Sequence, residues 1–285
     1  MPSDESTRVS KGRFFDQVEI DMKFAIKSIV VAASFIAAGA ANASTVVQAG
    51  NLNTYVPTGN GSEEVYFVSG AGALTFSQTL IDALNTGGVE VQATGGAASN
   101  IVGDPFEYSA VGVSANVTSL TVGSNGFIEQ AQSVGGAKQL ANFVKGVSYG
   151  GNISVTNLRI DMVNKNIYAD FVGAGKNSTG GTVNVNASNV LAWTFSDITG
   201  ATNVTGPGTF QTTLSGLALT TEGFNNIKNG LGLYSIGLIA LQGASADFGT
   251  LTSTITVAVP EPSTYALMGL GLVGIGFAAR RRAAK

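Results

Sequence analysis

The sequence predicts a mainly β body, sandwich-like with a few short helices, placed between an N-terminal signal helix and a C-terminal transmembrane helix. Three observations predict it. Patches of β-forming residues recur between Gly, Asn, Ser and Thr breakers. Glycine is abundant at 38 residues while only 12% of the chain is charged, a composition suited to glycine-rich turns and a neutral polar surface. An apolar run stands near each end, outside the patterned middle.

Residues 1–21 are polar and charged without periodicity, and read as a non-native or over-called extension ahead of a second start at Met22. From Met22 the order is Lys23 and Lys27, an apolar run over residues 29–41, and Ala41-Asn42-Ala43 before Ser44. That is the layout of a secretory signal peptide over 22–43, with Ala41 and Ala43 as the small residues of the cleavage site and Ser44 as the first mature residue. The run is too short for a bilayer span of about 20 residues. The predicted consequence is export.

The other end, residues 259–285, has three parts. Val259-Pro260-Glu261-Pro262-Ser263 places two prolines two apart, which forces an extended, exposed segment suited to an enzyme's groove. Residues 264–279 are apolar and glycine-rich, and Arg280, Arg281 and Arg282 follow. Three arginines after an apolar stretch read as a cytoplasmic stop, giving an expected single-pass C-terminal span through the inner membrane before processing.

This tail resembles the PEP-CTERM sorting signal, with Pro260, Glu261 and Pro262 matching its motif residue by residue. The resemblance implies an exosortase as partner, a transpeptidase-like membrane enzyme of Gram-negative bacteria that processes substrates near the Pro-Glu-Pro site. It implies a transient stay at the inner membrane and a destination in the cell envelope or extracellular matrix. The same tail is sometimes labelled as that of ice-binding proteins, a label that transfers no activity to the body.

Between the two ends, residues 44–258 carry 12 acids and 6 bases, a mildly acidic and charge-poor body. Strand patches fall at residues 65–68, 89–92, 111–117, 120–122 and 183–186. A hairpin is expected over residues 153–171, turning at Asn164-Lys165-Asn166. Leu158, Ile160, Met162, Ile167, Ala169 and Phe171 would face inward, and Arg159, Asp161, Tyr168 and Asp170 outward. Three segments have helical spacing: Phe76 to Leu84 after a Ser77 cap, Leu140 to Val147, and Phe224 to Leu231 after Thr221.

With neither histidine nor cysteine in the chain, a Ser-His-Asp triad, a thiol nucleophile, disulfides and Cys/His zinc sites are all excluded. A net charge of −3 argues against nucleic acid as partner. Gly269 to Gly274 and Gly173 to Ser178 mimic nucleotide-binding glycine motifs but lack their context, so no cofactor is expected. Among carboxylates, Glu63-Glu64, Asp104 with Glu107, and Asp161 with Asp170 are the pairs a glycoside-cleaving site would need to bring together. Trp193 and Phe195 share a strand face, either as core or as a sugar-stacking platform. Thr250, Thr252, Thr254 and Thr256 form one threonine row, either a solvent face or part of an ice-binding plane if several rows align in register. The expectation is a non-enzymatic structural or adhesive protein of the matrix, with extracellular polysaccharide as a partner. A carbohydrate- or ice-binding module and a carboxylate-based carbohydrate-active enzyme are the alternatives.

Overall fold

The computed structural model describes residues 43–59, 64–259 and 270–273. In chain order the body is built from β1 (Thr45–Gln48), β2 (Tyr66–Phe76), α1 (Gln78–Gly87), β3 (Glu90–Thr94), β4 (Ala98–Val102), β5 (Ala110–Val122), β6 (Ile128–Val134) and β7 (Gly136–Val144). There follow β8 (Ser148–Asp161), β9 (Asn166–Lys176), β10 (Thr182–Thr194), β11 (Asp197–Gly200), β12 (Gly208–Ser215), β13 (Ala218–Leu219), α2 (Thr221–Leu231), α3 (Ile236–Ala244) and β14 (Gly249–Ala258). The mainly β body with a few short helices is therefore present. Its layers are parts of one sheet, ordered β11-β12-β14-β2-β5-β6-β8-β9-β10-β13 and antiparallel throughout that path, with β1 and β4 added to β5, and β3 and β7 branching from β8.

That sheet curls into a half-barrel. Trp193 of β10 lies 5.3 Å, ring to ring, from Phe248, which leads into β14 six places away in the strand order. The bending sits at irregular points of the long strands. β8 and β9 shift register between Thr156 and Arg159, where Asn157 has φ +56°, and β9 and β10 shift between Ala187 and Val190, where Asn189 has φ +53°. Asparagine tolerates this left-handed region better than other side chains, so each bulge forms where the sequence offers one. The expected hairpin is β8–β9: Ile160, Met162, Ile167, Ala169 and Phe171 are all buried, and Leu158 is half-buried against them. Asp161, expected outward, is buried instead, because its carboxylate accepts from the Asn164 backbone N–H and Nδ2, both at 2.9 Å, and so holds the turn.

Helix ends are specified locally. Ser77 Oγ accepts from Leu80 N at 3.1 Å to start α1, and Gly88, at φ +56°, ends it. Thr220 rather than Thr221 caps α2, accepting from Gly223 N at 3.1 Å. Small residues let α2 lie close on the sheet: a Cβ at Gly230 would stand 2.7 Å from that of Ile153. The helix expected over residues 140–147 is absent. That stretch belongs to β7 and its turn: Leu140, Ala141, Phe143 and Val144 pair with Asn152, Gly151, Tyr149 and Ser148 of β8, and β3 reaches as far as Leu140 on the other edge, so the backbone groups are committed to the sheet. The third helix is α3 instead, which has no side-chain cap to mark its start.

The expected C-terminal transmembrane helix, and with it the single-pass membrane attachment, is corrected. Among the described residues no helix is long and apolar enough to cross a membrane. Of the stretch 264–279, the structure describes residues 270–273, which are helical and exposed. Sixteen residues fall short of the roughly 20 a span requires, and the four glycines among them weaken a helix. The rest of that stretch, and the signal helix over 22–43 apart from Ala43, lie outside the described residues.

Candidate functional site

The predicted cleavage and sorting residues fall at the margins. Ala43 and Ser44 are exposed, and Ser44 Oγ donates to Glu129 Oε2 at 2.6 Å just before β1 enters the sheet beside β5. Val259, directly after β14, is exposed. Ala41, Pro260, Glu261, Pro262, Ser263, Arg280, Arg281 and Arg282 lie outside the described residues.

The structure holds Asp161 and Asp170 apart. Asp161 pairs in register with Asn166 at the hairpin end, while Asp170 pairs with Thr156, further along the same ladder. Asp170 staples both bulges, since its Oδ2 accepts from Asn157 Nδ2 at 3.0 Å and its Oδ1 from Asn189 N at 2.8 Å. Arg159 lies 4.0 Å over the Tyr168 ring and donates to Asn189 Oδ1 at 3.2 Å. These groups organise backbone. Asp104 and Glu107 are exposed around the Pro105 turn, and Glu63 lies outside the described residues. Among the described residues no group of three or more His, Cys, Asp or Glu is placed to hold a metal. Burial pushes the Tyr108 phenol above its ordinary range, and hydrogen bonding with Tyr66 and then Glu64 does the same for Tyr55.

Two surfaces of the sheet stand out. On the outer face the threonines of β14 are joined in register by further small polar residues: Thr256 faces Thr209, Thr252 faces Thr213, and Thr250 faces Thr75. The first two pairs are hydrogen-bonded through their hydroxyls at 3.2 and 3.3 Å. One row runs Thr199, Thr213, Thr252, Ala73, Ser114, Ala98 across six strands, and the next runs Gln211, Thr254, Ala71, Asn116. Neither row contains a charge. The threonine row read from β14 is thus part of a broader uncharged face, which sequence reasoning could not assemble because it depends on pairing between distant strands.

On the inner face, register produces a cavity. Thr212, Ser253, Gly72 and Ala115 stand side by side on β12, β14, β2 and β5, so four neighbouring strands contribute small residues at one level. The row on one side carries larger groups, Leu214-Leu251-Leu74-Val113, and on the other stand Phe210 and Ile255, with Val117 packed against Gly70. The space left is about 80 Å³, lined also by Met162, Trp193, Ile227 and Phe248. A Cβ built on Gly72 would meet nothing within 4 Å. Three polar atoms on its lining, Ser133 Oγ, Ser253 Oγ and Trp193 Nε1, are buried without a hydrogen-bond partner in the protein. Trp193 and Phe195 are both buried, so the stacking platform is not on the surface.

No curated protein matches the chain. Among solved structures it is similar to the C-terminal domain of HtaA from Corynebacterium glutamicum, at 11% identity and a TM-score of 0.40, over 67% of this chain and 99% of that one. It is similar as well to the heme-binding protein HtaB from Corynebacterium glutamicum, at 10% identity and a TM-score of 0.38, over 68% of this chain and 95% of that one. Likenesses this distant bear on no ligand or activity. The remaining comparison concerns the tail: residues 258–282 match the model of the PEP-CTERM protein-sorting motif, so the chain carries near its C-terminus a sorting motif consistent with an exosortase substrate.

Proposed function

We propose that this is an exported, exosortase-sorted protein whose body acts without catalysis, as an adhesive module for neutral polysaccharide in the extracellular matrix. The sorting motif supports export and sorting. The observation that carries the adhesive reading is the outer face, where hydroxyl and methyl groups line one row across six strands and hydroxyl, amide and methyl groups the next across four, neither with a charge. Uncharged polymers offer hydroxyls that donate and accept, and the threonine hydroxyls do the same. Many weak contacts along a regular face give avidity without a deep pocket. The dispersal of Asp161 and Asp170 onto separate backbone turns supports the non-catalytic part of the reading.

The test is retention of the mature protein on insoluble cellulose beside the double variant Thr252→Glu/Thr254→Glu. Two carboxylates in the centre of the face would need desolvation against a neutral polymer, so retention should fall at least about tenfold, each unpaired charge costing more than one kcal/mol. Equal retention of the two proteins refutes the adhesive face. The hydrogen-bonded threonine pairs favour a second reading, ice, since neighbouring strands repeat at about 4.8 Å. Inhibition of ice recrystallisation by the parent, lost in the double variant and with no cellulose retention by either, would select it.

A further inference from the structure

The cavity on the opposite face of the same strands is independent of the adhesive reading. We propose that it is a binding site for a compact neutral molecule, mostly hydrocarbon, that presents an acceptor oxygen such as a ketone, ester or ether.

Four features converge on that class. Its volume of about 80 Å³ exceeds the roughly 10–15 Å³ that one water occupies and is about half of the ~150 Å³ that admits benzene in an apolar protein cavity. The site therefore suits a ligand or terminal group of about four heavy atoms. Its walls are Leu, Val, Ile, Met and Phe side chains with no charged residue among them, so an ion would be stripped of water without compensation. Buried polar groups in folded proteins are almost always paired, yet three on this lining have no partner in the protein. Their chemistry is donor-biased: the indole Nε1–H can only donate, while the two serine hydroxyls donate or accept. An acceptor oxygen answers the indole N–H, which can only donate, and the hydrocarbon remainder answers the walls. Finally, the site is held by paired strands, with Ser253, Gly72 and Ala115 fixed side by side by backbone register, so it is formed before a ligand arrives. Leu74, Ala137 and Leu158 on the lining are only half-buried, which offers entry without unfolding the core.

Trp193 is the only tryptophan in the chain, so its indole N–H gives a single, unambiguous nuclear magnetic resonance signal from inside the site. The experiment titrates acetone into the ¹⁵N-labelled mature protein, and in parallel isobutene, which has the same shape without the oxygen. Acetone should move the indole N–H resonance downfield and saturably, and isobutene should not move it downfield. Gly72→Val fills the space from a position where a Cβ meets nothing, and should abolish the saturable shift. Gly72→Ala, the milder change, should weaken acetone binding at least about threefold and serves if the valine variant does not fold. No shift with acetone, a shift that does not saturate, or a saturable shift unchanged in Gly72→Ala overturns the proposal. Exchange cross-peaks from the indole N–H to bound water, unaltered by acetone, would identify the occupant as water alone and overturn it too. Cellulose retention by the Gly72 variants should be unchanged, which keeps this site separable from the outer face.

Discussion

Replacing Gly72 with alanine should stabilise the protein, and the size of the effect follows from the space around it. A Cβ at this position meets no heavy atom within 4 Å, and Gly72 does not lie in the left-handed backbone region, so alanine adopts its conformation without strain. Two gains add. Restricting the unfolded chain contributes about 0.4–1 kcal/mol. Burying one methyl contributes up to about 0.8 kcal/mol. The sum is about 0.4–1.8 kcal/mol, which for a body of this size raises Tm by about 1–7 °C. Gly136→Ala is the control, because its Cβ would stand 2.1 Å from the Val155 carbonyl oxygen and force β7 away from β8. It should destabilise by about 1–3 kcal/mol. Thermal and urea unfolding of the two variants beside the parent measure both. If Gly72→Ala lowers stability as Gly136→Ala does, the space beside Gly72 is filled in solution and the reasoning about the inner row fails.

Further outcomes follow from other parts of the molecule. Asp170→Ala removes the acceptor shared by the two bulges, leaving Asn157 Nδ2 and Asn189 N without it. It should cost about 1.5–3 kcal/mol in urea unfolding, the span for hydrogen bonds to a charged group, and an unchanged midpoint would show that the bulges hold without it. The Tyr108 phenol is raised by burial, so the folded state favours its neutral form. Stability from this group is present below about pH 10, the ordinary phenol value, and is lost as pH climbs through its raised folded value. Tyrosinate absorbance should show Tyr108→Phe removing a late-titrating group, and an unchanged titration would contradict that. Replacing Pro260 and Pro262 by alanine should leave the tail attached. Intact mass of protein from envelope and medium reads this directly, and normal processing of the variant would separate the matched motif from sorting.

The features legible in the chain are those encoded by neighbours in sequence. The sorting tail reads directly because two prolines, an apolar stretch and three arginines act in linear order. The β8–β9 hairpin reads because alternation over one turn fixes which side chains share a face, and α1 and α2 read because Ser77 and the apolar spacing lie within a few residues of one another. Trp193 and Phe195 read as core because a charge-poor sheet needs large inward groups.

What stayed hidden was set by distant partners. Leu140, Phe143 and Val144 have helical spacing, yet β8 pairs with all three and β3 with Leu140. Asp161 looked like an outward acid until its turn closed over it. Thr212, Ser253, Gly72 and Ala115 lie up to 181 residues apart in the chain, and only strand register makes them one row with a cavity above it. The outer threonines likewise become a face only when β12, β14 and β2 are aligned. Local periodicity assigns each residue to a side of its own strand, whereas shapes spanning several strands depend on which strands pair and at what offset, because a shift of one residue exchanges the two faces.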